Sequence, residues 1–196
     1  MDFAEIFGND HPVTIEIGSG KGRFLLQEGA ARPEHNFIGI EKSLHYFRVI
    51  VDRVQRARLS NVRVINYDAI SVLEKMIPAA SIHEVHIYFP DPWPRPRERK
   101  RRLVRPALLR EIDRILIPGG AGYYVTDHRE YFEKSVPLFD STFETASGEI
   151  QPDSPARTNY EAKYREEGRA IYQVAFTKPQ VQGRHATTPA DFIEPA

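Results

Sequence analysis

Five short apolar runs recur along the chain: Val13–Ile17, Asn36–Ile40, Val62–Asn66, Glu84–Phe89 and Ala121–Thr126. Each has the length of a strand and is rich in β-branched or aromatic residues. Helical patterns separate them. Leu44, Phe47, Val51 and Val54 repeat on one face, and so do Val104, Leu108, Ile112 and Ile115. Strand and helix alternating at this spacing imply an α/β fold, a mostly parallel sheet with helices on both faces. The Pro118-Gly119-Gly120 triplet is expected to end the second of those helices. Past Phe139 the pattern changes. Thr142–Ser147 and Ile171–Thr177 read as two more strands around a short helix, Tyr160–Glu167, which Gly168 would close. Such a pair gives seven strands and an antiparallel finish. One domain over 1–178 is expected, and the polar, proline-rich 179–196 reads as a mobile tail.

The 196 residues carry 27 Lys and Arg against 27 Asp and Glu, so no overall charge draws the chain to nucleic acid. The balance hides a local excess. Arg95, Arg97, Arg99, Lys100, Arg101, Arg102 and Arg105 stand against Glu98 alone, a net +6 within 95–105. Separated charge of this kind points to a local anionic partner, with a solvated face as the plain alternative. The run leads toward a helix N-terminus, where each cation is unfavourable by roughly 0.3–1 kcal/mol, so stability does not account for it. The chain has no cysteine, which excludes disulfides, thiolate metal sites and cysteine nucleophiles. Its seven histidines show no ligand spacing, so no metal is expected; His86 reads as a satisfied strand residue. No apolar run approaches the roughly 20 residues of a membrane span. The acidic start, MDFAEIFGND, is not a signal peptide. A cytoplasmic protein without a membrane partner is expected.

EIGSGKG, Glu16 to Gly22, closes the first strand and opens a helix. Gly18 and Gly20 let the backbone turn tightly and a ligand come close. Open α/β sheets bind ligands at the carboxyl ends of strands, where the order reverses. The dinucleotide fingerprint would place its third glycine one residue later, and Glu16 would repel phosphate. S-adenosylmethionine (SAM) lacks phosphate and carries a sulfonium and an ammonium, which suit an acidic edge. Glu41, after the second strand, can accept from ribose hydroxyls. Asp68, after the third, can accept from the adenine amino group. Other readings stay open: Glu41 as a surface charge, and Asp68 as a loop tie beside a capping box made by Ser71 and Glu74.

The fourth strand delivers YFPDPWPRPRERKRR, Tyr88 to Arg102. Prolines fix φ and restrict the preceding residue, so Asp91 and Trp93 are expected to be held extended. With EIGSGKG, GIE, Thr126-Asp127 and TNYEAKYREEGRAIY from Thr158, this block resembles the bacterial tRNA (guanine-N7)-methyltransferase family, over nearly the whole chain. The resemblance implies a Rossmann-like class I SAM-dependent methyltransferase that methylates N7 of a guanine in the variable loop of tRNA. It implies SAM contacts for Glu16, Gly18, Gly20, Glu41, Asp68 and Asp91, with Asp91 also catalytic. It implies substrate contacts for Arg95, Asp127, Thr158, Asn159, Tyr160 and Glu161, and RNA contacts for Arg97, Arg99, Lys100, Arg101 and Arg102. The chain departs from the family at Arg95, usually Lys, and at Pro96 and Glu98, usually basic or His. Its N-terminus is also shorter than in many members.

Guanine N7 has an in-plane lone pair and no proton to lose, so the chemistry needs no general base. Positioning then supplies most of the rate, and Asp91 is expected to orient and stabilise rather than abstract. Trp93 can support a displaced base or wall the SAM site. Thr158 with Glu161, and Asp127 with Glu130, also fit helix capping. Rival readings are a SAM-dependent enzyme for another RNA or a small molecule, and a non-catalytic SAM- or RNA-binding partner. Monomer and homodimer are both compatible with the sequence.

Overall fold

The computed structural model describes residues 1–150 and 156–180, so all but the first two residues of the expected tail lie outside it. Among the described residues, seven strands form one sheet in the order β3-β2-β1-β4-β5-β7-β6. They are β1 Val13–Ile17, β2 Asn36–Ile40, β3 Val62–Ile65, β4 Ile82–Tyr88, β5 Leu116–Thr126, β6 Glu144–Glu149 and β7 Tyr172–Thr177. The first five run parallel, and β7 is antiparallel to both β5 and β6. Strand order reverses between β1 and β4, which opens a crevice at their carboxyl ends.

Among the described residues, seven α-helices flank the sheet: α1 Phe3–Phe7, α2 Arg23–Ala31, α3 Leu44–Arg56, α4 Ala69–Met76, α5 Pro106–Ile115, α6 Arg129–Asp140 and α7 Asn159–Glu166. Two apolar layers hold them. Val72 and Leu73 of α4, Leu108 and Ile112 of α5, and Tyr131 and Phe139 of α6 join one face of the sheet. Phe24 and Leu25 of α2, with Ile50 and Val54 of α3, join the other. All five residues of β1 and of β2 are buried, as strands covered on both faces must be.

Several expectations need correction. The anticipated face of α3 holds only in part: Val54 is buried as expected, but Ile50 is buried too and Leu44 is half exposed. Ile50 packs under the glycine turn, where a Cβ on Gly22 would come within 2.9 Å of it. The Pro118-Gly119-Gly120 triplet does not end α5, which stops at Ile115 and passes directly into β5. It forms an irregularity instead, since the β4–β5 register jumps from Ile82↔Leu116 to Glu84↔Ala121. The first residue of α4 is Ala69, so Asp68 caps it by accepting from Ser71 N at 3.2 Å, and no Ser71–Glu74 box forms.

Candidate active site

The turn after β1 is held by Gly18 N, which donates to Ile40 O at 2.8 Å. Gly18 and Gly20 have φ of +78° and +53°, and a Cβ on either would meet nothing within 4 Å. Their conformation, rather than crowding, requires glycine, and the space beside them is open to a ligand. Glu41 fastens this turn to β2. Its carboxylate accepts from Gly20 N at 2.8 Å and from Ser43 N at 2.7 Å. Glu16 lies deeper, 2% exposed. Burial, with Glu41 adding, pushes its carboxyl up to about 8 although the nearby Ser19 hydroxyl, which donates to Glu16 O at 3.3 Å, pulls the other way. Glu16 Oε2 is buried without a partner among the described residues.

Across the crevice, β4 ends in the proline turn. Phe89 and Trp93 adopt φ of +48° and +41°, so Trp93 is not extended as expected. Pro94 alone would steer Trp93 toward extended backbone, so the left-handed conformation belongs to the assembled turn, where Arg102 holds Pro92 O and Arg101 lies on the indole. Arg102 braces the turn from behind. It is 7% exposed, donates to Pro92 O at 2.7 Å, pairs with Glu130 at 2.5 Å and lies over the Tyr131 ring at 4.6 Å. A cavity of about 490 Å³ gathers Gly18, Gly20, Glu41, Tyr46, Asp91 and Trp93. A second, of about 250 Å³, adds Glu16, Phe24 and the start of α7. They share Gly18, Gly20, Tyr46, Tyr88, Phe89 and Tyr160, so they form one groove of ligand size.

The family described as "Putative methyltransferase" matches residues 10–174. A tRNA (guanine-N(7)-)-methyltransferase of Sodalis glossinidius is 36% identical over 91% of this chain and 77% of its own length. One of Listeria monocytogenes is 37% identical over 87% and 82%. The chain belongs to the tRNA (guanine-N7)-methyltransferase family. Its fold is similar to that of the 16S rRNA methyltransferase KamB, with a TM-score of 0.69 at 14% identity, covering 90% of this chain and 92% of that one.

The other expected site positions are distributed unevenly. Thr158, Asn159 and Tyr160 line the groove. Thr158 also caps α7, accepting from Glu161 N at 3.0 Å, and Glu161 answers by accepting from Arg157 N at 2.9 Å. Glu161 is 1% exposed and also paired with Arg165, so its carboxylate holds the start of α7 rather than facing the groove. Asp127 does not cap α6; His128 does, through Nδ1. Asp127 pairs with Arg169 at 3.0 Å instead. Arg95 is exposed beside Glu98, and Asp68 pairs with Lys42 at 3.5 Å; neither these two nor Asp127 lines the groove.

The basic run also departs from expectation. Pro96–Arg101 form a 3₁₀ helix of their own, with Arg99, Lys100 and Arg101 in its last turn, where cations are favoured. Arg97, Lys100 and Arg101 are exposed. Arg99 is tied to Glu130 at 3.4 Å, and the inward Arg102 offers no surface to RNA in this conformation.

Sequence reasoning missed Tyr46, Tyr88, Phe89, Arg23 and Lys163, all in the groove wall. Tyr88 and Phe89 are marked only by the end of β4, and Arg23, Tyr46 and Lys163 lie on helices with no pattern that separates them from other surface positions. Behind the groove, His86 is buried and its pKa is lowered by burial. Its Nε2 therefore donates to Glu84 at 3.2 Å and its Nδ1 accepts from the Tyr88 hydroxyl at 2.8 Å. The His86 hydrogen bond and the fork from Arg32 hold Glu84 down at about 2.

Proposed function

We propose that this protein methylates N7 of a guanine in the variable loop of tRNA, with SAM as methyl donor, in the cytoplasm. One observation carries the reading beyond family membership: a single groove joins the glycine turn and Glu41 to Asp91 and Trp93. The residues fit SAM, because the buried Glu16 Oε2 lacks a partner among the described residues and open space lies over Gly18 and Gly20. Bound there, SAM would supply an electrophilic methyl group. Glu41 keeps lone pairs for ribose hydroxyls while holding the loop, and Glu16 would receive the ammonium. Asp68, occupied with α4 and Lys42, is the weakest of the proposed SAM contacts in this conformation.

Asp91 is exposed to the groove at the end of the proline turn. A carboxylate there orients guanine through its N–H groups and stabilises positive charge arriving on the base. It removes no proton, because N7 has none. The target base must leave its stack to enter, and exposed Arg97, Lys100 and Arg101 would hold the adjoining phosphates. Thr158, Asn159 and Tyr160 are proposed substrate positions already in the groove wall, with Glu161 behind them, and Arg95 and Asp127 remain proposed positions reached once RNA is present.

Incubating the protein with SAM and unmodified tRNA, then mapping N7-methylguanine, tests the reading; absence of that product defeats it. Single-turnover rates at saturating SAM should stay flat across neutral pH. A steep rise following a neutral base would overturn the role given to Asp91. Asp91→Ala should slow the step by about 10²–10³-fold.

A further inference from the structure

Trp93 is the sole tryptophan of the chain, and a planar cation already lies on its face. The Arg101 guanidinium carbon is 3.5 Å from the indole centroid. Arg101 is otherwise exposed, yet its head group lies on the ring rather than out in solvent. Trp93, Arg101 and Asp91 line the same cavity. The backbone is strained to present this side chain: φ of +41° is unfavourable for a bulky residue, by about 1–3 kcal/mol. Pro92 and Pro94 flank it, and the Arg102 bond to Pro92 O locks the turn from behind.

We propose that the indole of Trp93 is a catalytic surface: the target guanine displaces Arg101 from it, and the indole face then stabilises the positive charge that methylation creates on the base. This rests on the guanine-N7 reading above. In that reaction the N7 lone pair forms the N–C bond, the C–S bond breaks, and its electron pair stays on sulfur. No proton moves. The positive charge leaves the sulfonium and spreads over the guanine ring system. Neutral guanine gains only stacking from the indole. A cationic guanine also gains attraction from the ring quadrupole. The added attraction exists only as charge arrives, so it lowers the barrier rather than tightening substrate binding. The guanidinium seen on Trp93 is a planar, delocalised cation, the same chemical class as the methylated base. Once displaced, Arg101 stands beside Arg97 and Lys100 on the exposed run, where a phosphate can receive it.

A sole tryptophan makes the test direct. Replacing it with mono-, di- and trifluorotryptophan withdraws electron density from the ring with little change in size. Single-turnover methylation at saturating SAM and tRNA should fall stepwise, by about twofold to thirtyfold over the series, while the tRNA concentration at half-saturation holds. Without SAM, Trp93 emission should report tighter binding of 7-methylguanosine than of guanosine in mildly acid buffer, where the methylated base is cationic. That preference should shrink with fluorination and grow in Arg101→Ala, which vacates the indole. Rates that stay level across the series, or equal affinities for the two nucleosides, overturn the proposal while leaving the N7 reading in place. Failure of the unsubstituted protein to form N7-methylguanine defeats the N7 reading instead.

Discussion

At the scale of single residues, Glu16 differs most from its sequence expectation. The sequence implies a fixed negative edge, but burial holds its carboxyl at about 8, so it is mostly protonated in the free protein at neutral pH. Its folded pKa lies above the unfolded 4.5. The stability it contributes is therefore complete below 4.5 and is lost as pH rises through 8. A shift of that size corresponds to at most about 5 kcal/mol. Glu16→Gln should flatten this dependence, and thermal melts from mildly acid to alkaline pH should show the variant gaining on the parent as pH rises. An unchanged gap would remove the buried, unpaired carboxyl from the account. A ligand ammonium would favour the ionised form, so SAM binding should release a proton through Glu16. Calorimetry in buffers of different ionisation enthalpy should detect this in the parent and not in Glu16→Gln.

At the scale of elements, the basic 3₁₀ helix divides into two kinds of arginine. Reversing exposed Arg97 and Lys100 to Glu should weaken tRNA binding and flatten its salt slope by about 0.7 for each phosphate no longer neutralised, with the melting temperature nearly constant. Arg102→Ala removes the bond to Pro92 O and the bridge to Glu130. It should cost about 2–3 kcal/mol, which corresponds to a fall in melting temperature of roughly 4–12 °C. Equal salt slopes in the two variants would count against this division. The seven charges are legible as a run, but which of them faces inward is not. Helix α7 shows the same limit. Thr158-x-x-Glu161 is legible as a cap, and its place in the groove wall follows from β7 pairing with β5. Thr158→Ala should cost about 1 kcal/mol and raise the KM for tRNA more than it lowers kcat.

At the scale of the whole molecule, one sheet runs from β3 to β6, and its core crosses from the first helices to the last strand. Phe176 of β7 lies 4.9 Å from both Phe139 and Phe143 and is 1% exposed. Phe176→Ala should destabilise by about 3–5 kcal/mol. Far-UV circular dichroism and Trp93 emission should report the same lowered midpoint, although the tryptophan sits in the proline turn rather than in the hairpin. Separate midpoints would mean that the antiparallel hairpin unfolds on its own.

Local chemistry suffices for what depends on nearest neighbours. The strands β1 and β2 are legible to the residue, because runs buried on both faces are dominated by apolar side chains, with Thr14, Glu16 and Asn36 as their polar exceptions. The glycine turn is legible from a conformation that side chains resist, and the proline turn from rings that restrict φ. Long-range contact decides the rest. Partners distant in sequence determine that Glu16 is protonated, that Asp127 pairs with Arg169, that Arg102 turns inward and that Trp93 is left-handed with a cation on its face. The free energy of a buried charge or a strained residue depends on what surrounds it, and those surroundings exist only once the sheet has assembled.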